Sequence, residues 1–236
     1  MGTFRVFSNR STLLLVAALG LGVLCMPAAL SAHTWAPPLE FSPPAPGTYT
    51  LPIVKPAPDG DVVDAAGTPR RLFDSMHGKI VLLSFIYTRC SDARGCPLAT
   101  AVLHAVEETL QHETILARQV RLLSLSFDPD HDTPEVLRRY ASVHASPGGR
   151  AYGTAAWHHL TTSSPQALQP ILEGYGQYVL PILDAHGEFS GTYSHTLKVF
   201  LIDRRQHVRN IYSVDFLHPE VLINDIKTLL MAEGSL

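Results

Sequence analysis

The sequence predicts an α/β domain, with a mixed sheet, helices on both faces and an N-terminal hairpin elaboration. Three observations predict it. Two continuous apolar runs, IVLLSFI (80–86) and VRLLSLSF (120–127), read as strands covered on both sides. Stretches of helical periodicity alternate with these runs along the chain. A pair of short strands followed by an amphipathic segment then closes the domain. The 236 residues, 46% hydrophobic and 17% charged, are enough for one well-packed core.

The N-terminus reads as an address. Residues 1–10 carry Arg5 and Arg10 and no acid, and residues 13–26 (LLLVAALGLGVLCM) form an uncharged apolar core. Pro27 breaks that core, and Leu30-Ser31-Ala32 offers a cleavage site. This is the order of a secretory signal. No charge occurs from Ser11 to Leu39, so a retained membrane anchor is the alternative. Cys25 follows the bulky Leu24, which speaks against a lipoprotein site. We therefore divide the chain into a signal or anchor (1–32), a Pro-rich extended linker or wrap (33–59) and one domain (60–236), placed outside the cytoplasm, in a periplasm. The middle segment holds eight prolines between 33 and 58, which exclude helix and central strand.

The elements follow in order. DVVDAAGTPRRLF (61–73) reads as two short strands around Ala66-Gly67. The strand 80–86 follows the turn residues His77-Gly78. Pro97 opens a helix to about 112, with apolar residues at 98, 102, 103, 106 and 110. After the strand 120–127, Asp132-Thr133-Pro134-Glu135 caps and opens a helix to about Val143. A Gly/Ser-rich loop (146–153), a short strand AWHHLT (156–161) and a helix (164–176) come next. LKVFLID (197–203) and HVRNIYS (207–213) form a hairpin, and 218–231 is the closing helix. The order is that of a thioredoxin-like fold with an N-terminal elaboration. Strands 80–86 and 120–127 should be neighbours at the centre of its sheet.

Composition excludes several functions. Lys and Arg number 18 against 21 Asp and Glu, a net charge of −3 with no basic block, so nucleic acid is not an expected partner. The three cysteines exclude a disulfide-dense scaffold. Removal of residues 1–32 would leave Cys90 and Cys96 as the only thiols. Both fall in or beside a strand-to-helix loop, where free backbone N–H groups and the helix dipole favour thiolate. Gly95 gives the intervening Ser91–Gly95 a residue able to turn back. A structural disulfide, a dithiol redox pair and a metal site all remain open from these residues alone.

Read around the cysteines, LLSFIYTRCSDARGCPLATAVL resembles the SCO (SenC) family of copper-binding thioredoxin-fold proteins. The shared pattern is Phe85, Tyr87-Thr88, Cys90, Asp92 and Cys96-Pro97. SFDPDHDTPEVLRRYA (126–141) is similar to the family's strand ending in Asp-Pro and running on to Asp-Thr-Pro. AWHHLT and Tyr193-Ser194-His195 before LKVFLID match two further signatures. The resemblance spans about residues 60–231 in the correct order. Two departures stand out: five residues separate the cysteines where the family usually has three, and Ser194 stands where Asp is common.

The resemblance implies a metal site of Cys90, Cys96 and His195. Two thiolates and one imidazole suit copper: soft thiolates select Cu(I), and the mixed set also accepts Cu(II). Zinc would generally want a fourth ligand. The other histidines read as packing or surface. His158 and His159 are adjacent on a strand and face opposite ways, and His104 lies two helical turns beyond Cys96. His33 could chelate copper only as a new N-terminus. Asp128, Asp130 and Asp132 read as turn and cap residues, since the interposed Pro129 and the missing distal Glu argue against a calcium loop.

The function implied is a metallochaperone that helps assemble the copper centre of a respiratory cytochrome oxidase, with thiol–disulfide reductase activity left open. Its partners would be the copper-receiving subunit, or another extracytoplasmic copper protein, and a thiol reductant. Membrane contact would come only through the N-terminal segment. The alternative is a thiol–disulfide oxidoreductase using Cys90 and Cys96, although the five-residue spacing departs from the usual two.

Overall fold

The structure is a computed structural model that describes residues 1–3, 38–144 and 157–236. The chain divides into a small unit, Met1–His33, and a large one, Thr34–Leu236, and the fold below belongs to the large unit. The expected signal and cleavage site, Cys25, His33 and the loop 146–153 lie outside the described residues.

Eight strands form one mixed sheet. They are β1 (Lys55–Pro56), β2 (Asp61–Asp64), β3 (Pro69–Arg71), β4 (Ile80–Ile86), β5 (Val120–Ser126), β6 (Trp157–Thr161), β9 (Val199–Ile202) and β10 (His207–Tyr212), while β7 (Val179–Leu183) and β8 (Phe189–His195) pair separately. The spatial order is β1-β10-β9-β4-β5-β6-β2-β3, which puts β4 and β5 side by side at the centre. They run parallel in register from Ile80 opposite Val120 to Ile86 opposite Ser126. All seven residues of β4 are buried, as a continuously apolar strand requires.

Alternation along β4 divides the core between two faces. Ile80 and Leu82 point to the side of α2 (Cys96–His112), α3 (Thr114–Gln119) and α6 (Pro219–Ala232), where they meet Val102, Leu103, Ile226 and Leu230. Val81, Leu83 and Phe85 point to the opposite side, against Leu168, Ile171 and Tyr175 of α5 (Pro165–Tyr175). Each such large apolar side chain contributes about 1.5–3 kcal/mol by leaving water. The hydroxyls of Ser84 and Ser124 interrupt the apolar strands but satisfy each other at 2.9 Å, and Trp157 Nε1 donates to Ser124 at 3.0 Å.

Four features differ from the sequence expectation. Leu72 and Phe73, expected in a strand, open a short helix, α1 (Leu72–Met76), which His77 ends in the left-handed conformation. The short α3 sits between α2 and β5. The hairpin β7–β8 carries His195 at its end. The Pro-rich segment contributes β1, antiparallel to β10. Ahead of β1 the segment is pinned along α6: the Gly47 N–H donates to Thr228 Oγ1 at 3.0 Å and the Tyr49 hydroxyl to Asp225 Oδ1 at 2.5 Å. The buried Asp225 also accepts from Tyr212 and Asn210 of β10, so three donors meet its charge.

Candidate metal centre

The site forms where the central strand runs out. Beyond β4 the chain turns at once, the Cys90 N–H donating to the Tyr87 carbonyl at 3.2 Å. Asp92 then organises a second turn, accepting from the Gly95 N–H on its carbonyl at 2.8 Å and from the Arg94 N–H on its carboxylate at 3.0 Å. The residues of this turn, 91–94, are exposed. Gly95 does not occupy left-handed backbone, its φ being −98°, but it leaves room for Cys90. A Cβ there would lie 3.3 Å from Cys90 Sγ and 3.2 Å from the Asp92 carbonyl. Cys96 is the first residue of α2, is 1% exposed and precedes Pro97 at the favoured helix-opening position.

His195 ends β8 and faces the cysteine loop. Its Nε2 lies 3.6 Å from Cys96 Sγ and 4.0 Å from Cys90 Sγ, and the three ligand atoms lie within 4.8 Å of one another. An ion about 2.3 Å from a sulfur and about 2.0 Å from an imidazole nitrogen, at trigonal angles, would hold that pair about 3.7 Å apart. The observed separations fit. His195 Nδ1 donates to the Tyr193 carbonyl at 3.3 Å, which leaves Nε2 as the ligand nitrogen of the neutral ring. Tyr87 meets the imidazole edge-on at 5.6 Å and Phe127 lies tilted at 5.2 Å, forming an apolar wall behind it.

The charges are asymmetric. A hydrogen bond from Cys96 and another from His195 outweigh burial and hold the Cys90 thiol down at about 4. The bond to Cys90, burial and the Cys90 charge push the Cys96 thiol well above its ordinary value. The Cys90 thiolate also raises His195, against the effect of burial. The directions favour one negative charge on the pair, carried by the more exposed Cys90, with the imidazole shifted toward its charged form.

The structure brings Cys90, Cys96 and His195 together and leaves the other candidates apart. His104 faces Glu107 and Glu108 of its own helix at 3.6 Å. His159 is buried against Trp157 and Tyr140, on the opposite face of β6 from His158. Asp128, His131 and Asp132 also bring ligand atoms within 4.8 Å of one another. Their carboxylates, however, are already committed. Asp132 accepts from the Thr88 N–H at 2.9 Å, the Thr88 hydroxyl at 2.5 Å, the Ser126 hydroxyl at 2.5 Å and His131 Nδ1 at 2.9 Å. Asp128 accepts from Arg89 at 2.8 Å and from the Tyr193 hydroxyl at 3.0 Å. The expected cap is therefore corrected for Asp132, whose carboxylate turns inward onto the cysteine loop while the Thr133 hydroxyl reaches the Val136 N–H. The sequence reading missed this bracket and the aromatic wall. Tyr87 and Tyr193 stand within the motifs, but their packing with Phe127 around the imidazole follows only from the convergence of three strand ends.

A thioredoxin-like sheet with a cysteine loop at the end of its central strand, faced by a hairpin histidine, defines a class of thiolate–imidazole proteins suited to a soft metal ion or to thiol redox chemistry. Within that class, the chain belongs to the SCO1/SenC family, whose family model matches residues 61–231. A candidate copper-binding protein of Stutzerimonas stutzeri is 27% identical over 180 residues, covering 74% of this chain and 81% of the relative. The solution structure of apo Sco1 from Thermus thermophilus has a TM-score of 0.59 and 28% identity, covering 78% of this chain and 96% of that one. BsSco, a member of the Sco family of cytochrome c oxidase assembly proteins with a disulfide switch, has a TM-score of 0.56 and 22% identity, covering 76% and 96%.

Proposed function

We propose that the protein is a copper metallochaperone acting outside the cytoplasm, which carries copper on Cys90, Cys96 and His195 to the copper centre of a respiratory oxidase. One observation carries this reading: two sulfurs and one imidazole nitrogen converge within 4.8 Å beside a partly exposed loop. Family membership and the names of the relatives support it. The signal-like order of residues 1–32 supports the location, and no described helix is long and apolar enough to cross a membrane.

Copper is cargo here, so the site must both hold and release it. The Cys90 thiolate is the entry ligand, being ionised and partly exposed. Cys96 joins by losing its proton, and His195 completes the set for Cu(II). Release follows by ligand exchange from the exposed side. The site's charge asymmetry favours one further reading, in which Cys90 attacks a disulfide and Cys96 resolves it.

Titration of the reduced protein with Cu(I) and Cu(II), following absorbance and free thiols, separates the two. Sulfur-to-Cu(II) charge-transfer bands at one equivalent are expected. Fast turnover of disulfide substrates without those bands would favour the redox reading.

A further inference from the structure

We propose that Asp128 is a positioning residue for Cu(II): its buried carboxylate ties the cysteine loop to the His195 hairpin and keeps the imidazole within reach of both sulfurs. The inference rests on the copper reading above and adds to it a residue that touches no metal ligand.

The hairpin β7–β8 is a sheet of its own, outside the hydrogen-bonded ladder of the eight-stranded sheet. Its first strand is exposed, with Leu180 at 66% and Leu183 at 57%. On its far side His195 is held through Thr196, whose carbonyl accepts from the Gln177 side chain at 2.8 Å, and through the buried Leu197; on its near side its position is set by what the hairpin rests on. Part of that support is aromatic: Tyr193 packs edge-on against Tyr87 at 5.3 Å and Phe127 at 5.6 Å. Such contacts leave freedom to slide. The Tyr193 hydroxyl supplies direction, donating to Asp128 Oδ1 at 3.0 Å two residues before His195.

The other carboxylate oxygen is held from the cysteine side. Arg89, one residue before Cys90, donates to Asp128 Oδ2 at 2.8 Å. Asp128 is 2% exposed, whereas the Arg89 side chain is 39% exposed. A buried carboxylate cannot give up a charged partner cheaply, so the bond to Arg89 fixes the anion in place and makes it an anchor for the phenol. Cys90 and Cys96 lie on one loop and can hold Cu(I) without the hairpin. Cu(II) needs the imidazole, so the bracket acts on one oxidation state and spares the other.

The test measures Cu(I) and Cu(II) affinities, the Cu(II) optical and EPR spectra and apo thermal stability for the reduced wild type, Asp128→Asn, Tyr193→Phe and the double variant. Outer partners of metal ligands typically matter by about 10–100-fold in affinity. Asp128 acts one bond further out, so Asp128→Asn should lose Cu(II) affinity by about 10-fold, the low end of that range, and shift the charge-transfer band and hyperfine coupling, with Cu(I) affinity changed by less than about 3-fold. Tyr193→Phe should move in the same direction, and the double variant should be no worse than Asp128→Asn. An unchanged Cu(II) spectrum and affinity would overturn the proposal, as would equal losses of Cu(I) and Cu(II). If Asp128→Asn fails to fold, Tyr193→Phe decides by the same criteria. A wild type without thiolate–Cu(II) bands would instead refute the copper reading itself.

Discussion

Loading the site with Cu(I) should release protons in a number that the structure fixes. At pH 7 the Cys90 thiol, held at about 4, has already lost its proton. The Cys96 thiol, pushed up by its bond to Cys90 and by burial, still carries its own and must lose it to bind. His195 is raised by Cys90, so part of the population carries a second proton, which is given up once copper takes the Cys90 charge. Wild-type loading at pH 7 should therefore release about one proton from Cys96 and a fraction of one from His195. His195→Ala removes the fraction. It leaves the bond from Cys96, the larger cause of the Cys90 depression, so release should fall to about one proton. The assay is calorimetric titration in buffers of different ionisation enthalpy, with the metal's buffer complex held constant. Release of about two protons by His195→Ala would show that both thiols are protonated at pH 7, and the split between a Cys90 thiolate and a Cys96 thiol would be refuted.

His195→Ala should also weaken Cu(II) more than Cu(I), read from competition with chelators, and equal weakening would remove His195 from the ligand set. The same raised Cys96 thiol predicts an alkaline effect: its contribution to apo stability is full below the ordinary thiol value of 9.0 and is lost as pH rises through the raised value, so denaturation midpoints should fall on that side and Cys96→Ala should flatten the fall. Conversely, the depressed Cys90 contributes fully above 9.0 and loses its contribution as pH falls toward about 4. Gly95→Ala, whose Cβ would lie 3.3 Å from Cys90 Sγ, should shift the Cu(II) spectrum while costing less than about 1 kcal/mol of apo stability by urea denaturation. Tyr49→Phe removes one donor to Asp225 and should cost about 1 kcal/mol without changing copper affinity.

The central architecture was legible because burial on both faces writes itself as unbroken apolar sequence. Strand β4 was read with its observed ends, and α2, β5, β6, α5 and α6 within two residues. The hairpin β7–β8 escaped for the opposite reason. Its first strand, VLPIL, is apolar but exposed and contains Pro181, so neither alternation nor composition marks it. Leu72 and Phe73 looked like the end of a strand, yet the chain must turn there to bring β4 into the centre. For the site, the order of motifs indicated which three residues should meet. The inward turn of Asp132 was not legible: Asp-Thr-Pro is equally a cap, and only the approach of Thr88 and Ser126 draws the carboxylate away from the helix.

The pinned Pro-rich segment has a consequence for aggregation. Strand β1 is only two residues long, but it occupies the outer side of β10, which would otherwise present open N–H and C=O groups beside the exposed Ile211. Pro56 in turn gives β1 one fewer donor to offer a neighbour. The segment thus works as an edge guard. A chain trimmed to begin at Asp61 would keep the cysteine loop, the hairpin and the central sheet, yet leave β10 uncovered. Self-association through that edge, visible as concentration-dependent scattering, is its expected defect.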